Sequence, residues 1–298
     1  EIDPDIVHPH SSKAGILGRA AASRQQVPVV HTIHGAAFHF GQSKLAQAVY
    51  RKAERWAARR CQRLISVCDA MTKQYLDAEI AAPEMFTTIY SGMDVEPFLD
   101  PPRPREEVRA ELGFEDADVV IGKVARLFDL KGHRYLLEAA PRIVEACPQA
   151  RFLLVGDGPL RDQFEARISR DGLADHFVLT GLVPPERIPE LIHATELVVH
   201  TSVWEGLARV LPQSMIAGKP VVSFDIDGAH EVVIPEETGL LVEPESVDGL
   251  VDAVTRLVAD QELRIRLGDE GCHRWTETFR YQEMARLVRE VYEEVLAG

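Results

Sequence analysis

Runs of β-branched and apolar residues alternate with longer amphipathic stretches from residue 119 onwards. The apolar runs are residues 119–124, 152–155, 177–179, 197–199, 220–223 and 239–242. The amphipathic stretches are residues 133–146, 159–171, 186–194, 207–217 and 247–259. Continuous apolar strands separated by helices predict a parallel sheet that is covered by helices on both faces. The pattern therefore predicts a doubly wound α/β domain.

The first hundred residues repeat this pattern with fewer strands. Residues 27–33 and 63–67 read as strands, and residues 42–60 read as the helix between them. Two or three strands are too few for a complete doubly wound sheet. We therefore expect this half to be incomplete, with its missing part upstream of Glu1.

A proline-rich segment separates the two halves. Three of the six residues 100–105 are proline, which lacks an amide donor and holds the backbone extended. We therefore predict a partial N-terminal domain over residues 1–105 and a second domain over residues 106–278. The charged helical stretch at the end of the chain predicts a helix over residues 279–298 that packs back toward the N-terminal domain.

Composition excludes several classes of function. The sequence has 33 Lys and Arg against 47 Asp and Glu, a net charge of −14, which argues against binding to the nucleic-acid backbone. No run approaches the roughly 18–20 apolar residues that span a bilayer. The four cysteines lack the spacing of a zinc site or a dithiol redox centre. We expect a soluble, cytoplasmic protein in which any bound phosphate belongs to a small ligand.

The loop after the first strand of the second domain carries two cations. Open α/β sheets bind ligands beyond the carboxyl ends of their strands, so this loop is a candidate site. Arg126 and Lys131 lie five residues apart in it. A guanidinium fork and an ammonium at this spacing can hold a diphosphate from two sides. The alternative is a pair of solvated surface charges.

Gly156 and Gly158 join the next strand to its helix. They form half of a dinucleotide-binding fingerprint, and a tight turn explains them equally well. Because the third glycine of the fingerprint is absent, the pattern argues against a nicotinamide-dependent dehydrogenase.

The segment from residue 201 to residue 220 carries the most information. A strand ends, Glu205 and Gly206 follow, and the helix predicted over residues 207–217 begins with free backbone amides, which predict an anion site. Gln213 lies eight residues after Glu205, a little over two helical turns, so both side chains could address one ligand from the same helix. The alternative is a helix-terminal charge at Glu205 and a polar group at the edge of the core at Gln213.

Two aspartates follow the next strand. Asp225 and Asp227 have the spacing of carboxylates that hold Mg²⁺ or Mn²⁺ on a nucleotide diphosphate. A short acidic turn is the alternative, and we favour it because Arg126 and Lys131 already supply positive charge.

Three histidines lie at the end of a strand in the first half: His31, His34 and His39. Imidazole is a common metal ligand, but strand alternation places His31 and His34 on opposite faces of the sheet. We therefore expect His34 to act alone, by hydrogen bonding to a hydroxyl group of the substrate.

A set of short motifs, spread over nearly the whole chain, resembles those of one enzyme family. The motifs are residues 8–15, 32–35, 89–94 with Phe98, 131–132 with Arg126, 155–159, the stretch around Glu205, and 238–242. These motifs, in this order along the chain, resemble those of the retaining glycosyltransferases of family 4. The resemblance implies an α/β fold of the GT-B class, with two Rossmann-like doubly wound domains facing across a cleft and the N-terminal one incomplete.

The resemblance also implies roles for individual residues. Catalysis would fall to His34, Glu205, Arg126 and Lys131, donor binding to Gly206, Leu207, Gln213, Gly156 and Val183, and the acceptor side to His10 and Ser11. Arg126 and Lys131 would neutralise the departing diphosphate, and Glu205 would contact hydroxyl groups of the transferred sugar. No cofactor or metal is expected, because the nucleotide sugar is a substrate and the family retains configuration without a metal.

The implied activity is hexosyl transfer from a nucleotide sugar, with UDP favoured over GDP. The acceptor would be a saccharide or lipid-linked saccharide in cell-surface polysaccharide or glycolipid synthesis. Gln213 departs from the family, which usually has a glutamate there to hold the donor ribose. We expect the glycine-rich N-terminal loop of the family to belong to the missing part upstream of Glu1. Two alternatives remain open: a noncatalytic nucleotide-sugar sensor or partner subunit, and a sugar-phosphate synthase of the same fold.

The stretch over residues 51–63 is basic and amphipathic. Arg55 and Arg59 lie one helical turn apart, with Trp56 between them. A helix of this kind suits anionic lipid, which would place the protein peripherally at the inner face of the cytoplasmic membrane. A solvated helix face is the alternative.

Overall fold

The computed structural model describes residues 3–38 and 41–297. Its strands, in chain order, are β1 (Val30–Ile33), β2 (Arg63–Ser66), β3 (Phe86–Thr88), β4 (Val119–Val124), β5 (Ala150–Val155), β6 (Phe177–Gly181), β7 (Leu197–His200), β8 (Val221–Phe224) and β9 (Gly239–Val242). Its helices are α1 (Ser12–Arg24), α2 (Lys44–Ala58), α3 (Asp69–Asp77), α4 (Glu96–Leu99), α5 (Arg105–Glu111), α6 (His133–Ala146), α7 (Arg161–Arg170), α8 (Ile188–His193), α9 (Val210–Ile216), α10 (Ala229–Val232), α11 (Val247–Ala259), α12 (Gln261–Trp275) and α13 (Tyr281–Ala297).

The chain divides into two compact units. The first comprises Glu1–Met93 and Thr278–Gly298, and the second comprises Asp94–Glu277. The division therefore falls between Met93 and Asp94, rather than after residue 105 as the proline-rich segment predicted. The reason lies in α4, where the Phe98 carbonyl accepts a hydrogen bond of 2.7 Å from Nε2 of His193 in the second unit.

The first unit is built on a parallel sheet in the order β1-β2-β3. Isolated parallel bridges join Val7 to Val29 and His10 to Thr32 beside β1. Helix α13 packs on this sheet, and its Val291 is buried in one apolar cluster with Val30 of β1. The last helix of the chain thus belongs to the first unit, although it follows the second along the sequence.

The second unit contains a six-stranded parallel sheet in the order β6-β5-β4-β7-β8-β9. One face buries Ile121 and Phe152 against α6 and α11. The other face buries Val120 and Leu153 against α5 and α8. Both faces of the sheet are therefore covered by helices, which confirms the doubly wound α/β prediction for this half of the chain.

The bounds of most elements follow the predicted pattern, and the exceptions have physical causes. Helices α6 and α11 span the residues predicted for them. The predicted helix over residues 207–217 begins only at Val210. Pro212 explains this, because proline lacks the amide that a helix interior requires and is tolerated in the first turn. No helix of the described residues is long and apolar enough to cross a bilayer.

Candidate functional site

The strand order of the second unit places a topological switch point between β4 and β7. From this point the sheet is built outward in opposite directions, toward β6 on one side and β9 on the other. Ligands of open α/β sheets bind in the crevice at such a point, beyond the carboxyl ends of the strands. The loops after β4 and β7 are therefore the expected ligand-binding loops. They are joined by a hydrogen bond of 2.9 Å from the Val203 amide to the Leu130 carbonyl.

The loop after β4 presents Arg126 and Lys131 at this edge. Arg126 is exposed, and its guanidinium carbon lies 4.3 Å from the centre of the Phe128 ring. Leu127 is buried, and its amide donates to the Asp157 carbonyl at 3.0 Å, which anchors the loop between the two cations. Stacking on an aromatic face restricts a guanidinium without neutralising it. Arg126 therefore keeps its charge available to a ligand.

Lys131 and Glu205, predicted separately from the sequence, form an ion pair. Ser202 also donates to the same carboxylate oxygen, at 3.2 Å. The Glu205 amide donates to a carboxylate oxygen of Asp227 at 2.8 Å. Asp227 thus positions the Glu205 backbone, a role that the sequence pattern did not indicate. Asp225 points to a different partner, because its carboxylate lies 3.3 Å from Nδ1 of His230.

The predicted helix-terminal anion site at Gly206 and Leu207 needs a correction. Helix α9 begins at Val210, so the amides of Gly206 and Leu207 precede it and do not belong to its first turn. Glu205 likewise lies before the helix, while Gln213 lies within it. The spacing of Glu205 and Gln213 predicted that both lie on one helix, and this prediction is wrong. The Gly206 carbonyl instead accepts a hydrogen bond of 3.0 Å from the Gly228 amide.

Gly156 allows the loops after β4 and β5 to approach each other. Its φ is 134°, and a Cβ at this position would lie 2.2 Å from the Ala125 carbonyl oxygen. A side chain here would displace the loop that carries Arg126. This geometry supports a structural role for Gly156 at the site, while the predicted donor contacts of Gly156 and of the half-buried Val183 stay predictions.

A buried lysine, which the sequence pattern did not indicate as a site residue, lies below the loop. Lys123 of β4 is 1% exposed, and its Nζ donates to Thr201 Oγ1 at 2.8 Å. Burial lowers its pKa to about 7, Lys131 lowers it further, and Glu205 opposes the shift. The only signal in the sequence was a lysine inside the apolar run 119–124, where it read as an interruption of the strand pattern.

The histidines of the first unit separate into structural and accessible groups. His31 is buried, and its Nδ1 contacts the Pro9 carbonyl at 2.8 Å. His34 Nε2 lies 3.0 Å from His10 Nδ1, so the structure brings together these two predicted site residues. Burial, followed by the neighbouring His10, lowers the pKa of His34, which favours a neutral imidazole. Ser11 is exposed, and His39 lies outside the described residues.

A cavity of about 460 Å³ opens beside His34 within the first unit. His8, His10 and Thr32 form its polar wall, and Ile65 and Val288 contribute to its apolar wall. His8 Nε2 lies 2.8 Å from Thr32 Oγ1. Burial, with His10 and His34 nearby, lowers the pKa of His8 to about 4. His8 therefore lines this wall as a neutral imidazole at pH 7, beside the uncharged hydroxyl group of Thr32.

Within residues 3–38 and 41–297, no group of three or more His, Cys, Asp or Glu side chains is arranged to hold a metal ion. The cations on the loop between β4 and α6 are Arg126 and Lys131.

Two family models and a curated relative match the chain. The model described as glycosyl transferases group 1 matches residues 104–274, and the model described as glycosyltransferase family 4 matches residues 1–97. The chain is 33% identical over 265 residues to the UDP-Gal:alpha-D-GlcNAc-diphosphoundecaprenol alpha-1,3-galactosyltransferase of Escherichia coli. This match covers 88% of the chain and 68% of that protein.

Solved structures resemble the chain over nearly its whole length. Anabaena Alr3699/HepE, in complexes with UDP and with UDP-glucose, has a TM-score of 0.87 and 25% identity, covering 97% of this chain and 79% of that one. The sucrose-phosphate synthase of Thermosynechococcus elongatus has a TM-score of 0.85 and 25% identity, covering 98% of this chain and 74% of that one.

Proposed function

Because the chain belongs to the family 4 and group 1 glycosyltransferases, we propose that it transfers a hexosyl unit from a nucleotide sugar, with UDP as the favoured nucleotide. The proposed acceptor is a saccharide or lipid-linked saccharide of cell-surface polysaccharide or glycolipid synthesis. The UDP complexes of HepE and the UDP-galactose donor in the name of the Escherichia coli relative support the choice of nucleotide.

The observation that carries the proposal is the charge arrangement at the switch point. Arg126 is exposed after β4, and Lys131, five residues later, is held by Glu205 from the loop after β7. Two cations on one loop match the two negative phosphates of a nucleoside diphosphate. In the ligand-free structure Lys131 pairs with the carboxylate of Glu205. An incoming phosphate would take the place of this carboxylate beside the Lys131 ammonium. Glu205 would then be released toward hydroxyl groups of the sugar.

The proposed reaction retains the configuration of the transferred sugar. The bond between the anomeric carbon and the diphosphate oxygen breaks, and the acceptor hydroxyl attacks on the face from which the diphosphate departs. The acceptor hydroxyl passes its proton to the departing diphosphate oxygen. Positive charge placed where the leaving diphosphate gains negative charge lowers the barrier, because it stabilises the transition state more than the ground state. We propose that Arg126 and Lys131 supply this charge without a divalent metal. The role of His34 toward the sugar stays a prediction.

A calorimetric titration with UDP, GDP and ADP, each with and without Mg²⁺, tests this proposal. We expect UDP to bind most tightly, with an affinity that Mg²⁺ leaves unchanged. Binding of all three nucleotides with equal affinity would contradict the choice of UDP. Binding that requires Mg²⁺ would contradict the metal-independent mechanism.

A sugar-phosphate synthase is a second candidate, and one structural observation favours it. The sucrose-phosphate synthase of Thermosynechococcus elongatus covers 98% of the chain at a TM-score of 0.85. Such an enzyme differs in its acceptor, which carries a phosphate. Turnover of a UDP-sugar with sugar phosphates and with lipid-linked saccharides as competing acceptors would distinguish the two candidates.

Helix α2 supports a further proposal, that the protein contacts the inner face of the cytoplasmic membrane as a peripheral protein. Leu45, Val49 and Trp56 are 77%, 58% and 45% exposed. Their spacing places them on one face of the helix, on which Lys52 is also exposed. The Arg60 guanidinium carbon lies 3.8 Å from the centre of the Trp56 ring. Exposed apolar side chains flanked by cations are typical of helices that bind anionic lipid.

We expect the protein to sediment with vesicles that contain phosphatidylglycerol at low salt, and to remain in the supernatant with vesicles of phosphatidylcholine alone. Each surface cation contributes about 1 kcal/mol to such binding. The Lys52→Glu/Arg59→Glu variant should therefore lose at least about tenfold in vesicle affinity. The matched control is Arg142→Glu/Arg170→Glu, with the same charge change on exposed residues of the second unit. Equal binding by both variants would contradict the assignment to α2.

A further inference from the structure

A cluster of polar side chains is buried in the second unit, beneath the loop that carries Arg126 and Lys131. Its members are Lys123, His133, His200, Thr201 and Ser223, all of which are buried. Nδ1 of His200 contacts Ser223 Oγ at 2.9 Å. Within the described residues, Nε2 of His200 and both ring nitrogens of His133 have no hydrogen-bond partner. Burying such groups is unfavourable unless they are compensated, so the cluster calls for a functional explanation.

Lys123 connects this cluster to the phosphate-binding loop through one hydroxyl group. Its Nζ donates to Thr201 Oγ1 at 2.8 Å. Thr201 Oγ1 in turn donates to the Gly132 carbonyl at 2.8 Å. Gly132 directly follows Lys131 along the chain. A change in the charge of Lys123 therefore acts on the segment that carries Lys131.

The charges around Lys123 leave its ammonium poorly compensated. Burial is the main cause that lowers the pKa of Lys123, to about 7, and the positive charge of Lys131 adds to it. Glu205 raises the pKa of Lys123, but its carboxylate is paired with Lys131. His133 and His200 stay neutral, because burial, with Lys123 and Lys131, lowers the pKa of both imidazoles. A large fraction of the ligand-free protein thus carries a neutral amine at pH 7–8.

We propose that Lys123 is a positioning residue for the donor diphosphate, which takes up one proton when the nucleotide binds and then supports the Gly132 loop as an ammonium. The inference rests on the proposed nucleotide site after β4. Two negative phosphates beside Lys131 favour the charged form of a neighbouring amine. The bound state then holds one more proton than the free state and adds a third positive charge to those of Arg126 and Lys131.

The sign of the pH dependence follows from this proton. Because the bound state holds more protons, the affinity for UDP falls as the pH rises above about 7, by up to about tenfold per pH unit. In the range pH 7.5–8.5 the terminal phosphate of UDP contributes little, because the second pKa of a phosphate group is near 6. Calorimetry of UDP binding in buffers of different ionisation enthalpy measures the proton uptake directly. We expect uptake to approach one proton at about pH 8.5.

Two lysine variants separate this proposal from a general effect of pH. Lys123→Met keeps an unbranched side chain, one atom shorter than that of lysine, that cannot titrate. The proton uptake should therefore disappear, and the Kd should become independent of pH between pH 7.5 and pH 8.5. Lys219→Met is the matched control. Lys219 precedes β8 at the amino edge of the same sheet, and burial, with Arg105 and Arg109, lowers its pKa to about 8. Lys219→Met should therefore retain the full uptake.

The outcomes distinguish this inference from the proposed function. UDP binding without proton uptake in the unmodified protein would overturn the role of Lys123 and leave the nucleotide site intact. Thermal unfolding shows whether the Lys123→Met protein is folded. If this folded variant still took up a proton when UDP binds, the role of Lys123 would be overturned as well. Failure of UDP to bind the unmodified protein at any pH would overturn the nucleotide site and the inference together.

Discussion

Replacing Arg126 or Lys131 by alanine should lower the affinity for UDP by about 10- to 150-fold, because each removes a charged hydrogen bond worth about 1.5–3 kcal/mol. Arg126 is already exposed, and its guanidinium stacks on the Phe128 ring. Lys131 must first leave Glu205. We therefore expect the Arg126→Ala variant to show the larger loss. Calorimetric titration with UDP measures both.

The control for these two variants is Arg142→Ala. Arg142 lies on the surface of the same unit and pairs with Asp248 at 2.5 Å. Its replacement by alanine removes one positive charge, as the Arg126→Ala and Lys131→Ala substitutions do. Exposed pairs of this kind contribute little to stability. UDP affinity should therefore stay within about twofold of the unmodified protein. If Arg142→Ala weakened UDP binding as much as Arg126→Ala does, binding would depend on overall charge and the assigned site would be wrong.

Gly132→Ala should destabilise the second unit by about 2–5 kcal/mol and strongly weaken UDP binding. Gly132 has a φ of 63°, and a Cβ would lie 1.8 Å from the carbonyl oxygen of Thr201. The loop must therefore move away from β7. The same movement separates Lys131 from Glu205 and breaks the hydrogen bond from Thr201 Oγ1 to the Gly132 carbonyl.

Gly172→Ala provides the matched control for the backbone strain. Gly172 has a φ of 71°, but nothing lies within 4 Å of a Cβ at that position. This variant should lose only the about 1–2 kcal/mol that a left-handed conformation costs a side chain. UDP binding should be unchanged. Thermal unfolding of both variants measures the difference, and equal stability of the two would show that the contact between Gly132 and Thr201 is not tight.

The α/β fold of the GT-B class was predictable from the sequence because its signals are local. Helices α6 and α11 have strong amphipathic periods, and their predicted and observed bounds coincide. The strands of the second unit are short apolar runs, which a covered parallel sheet requires. Helix α9 was predicted too long because the apolar pattern extends past the point where Pro212 permits a helix to start.

Spacing along the chain identified the candidate site residues one by one, but it did not identify the contacts between them. The spacing of Arg126 and Lys131 is a property of one loop. The ion pair between Lys131 and Glu205, by contrast, joins loops that are 74 residues apart and depends on the strand order. The spacing of Asp225 and Asp227 suggested a metal site. It could not reveal that Asp227 instead accepts a hydrogen bond from the Glu205 amide. Lys123 was missed because a strand pattern does not report which side chains a loop will cover.

The crystal structure of the protein with UDP tests the central claim most directly. The account predicts the diphosphate between Arg126 and Lys131 beyond the carboxyl end of β4, with the Lys131 ammonium turned from Glu205 to a phosphate oxygen. UDP bound elsewhere, with the ion pair between Lys131 and Glu205 intact, would contradict the assignment of this loop as the donor site.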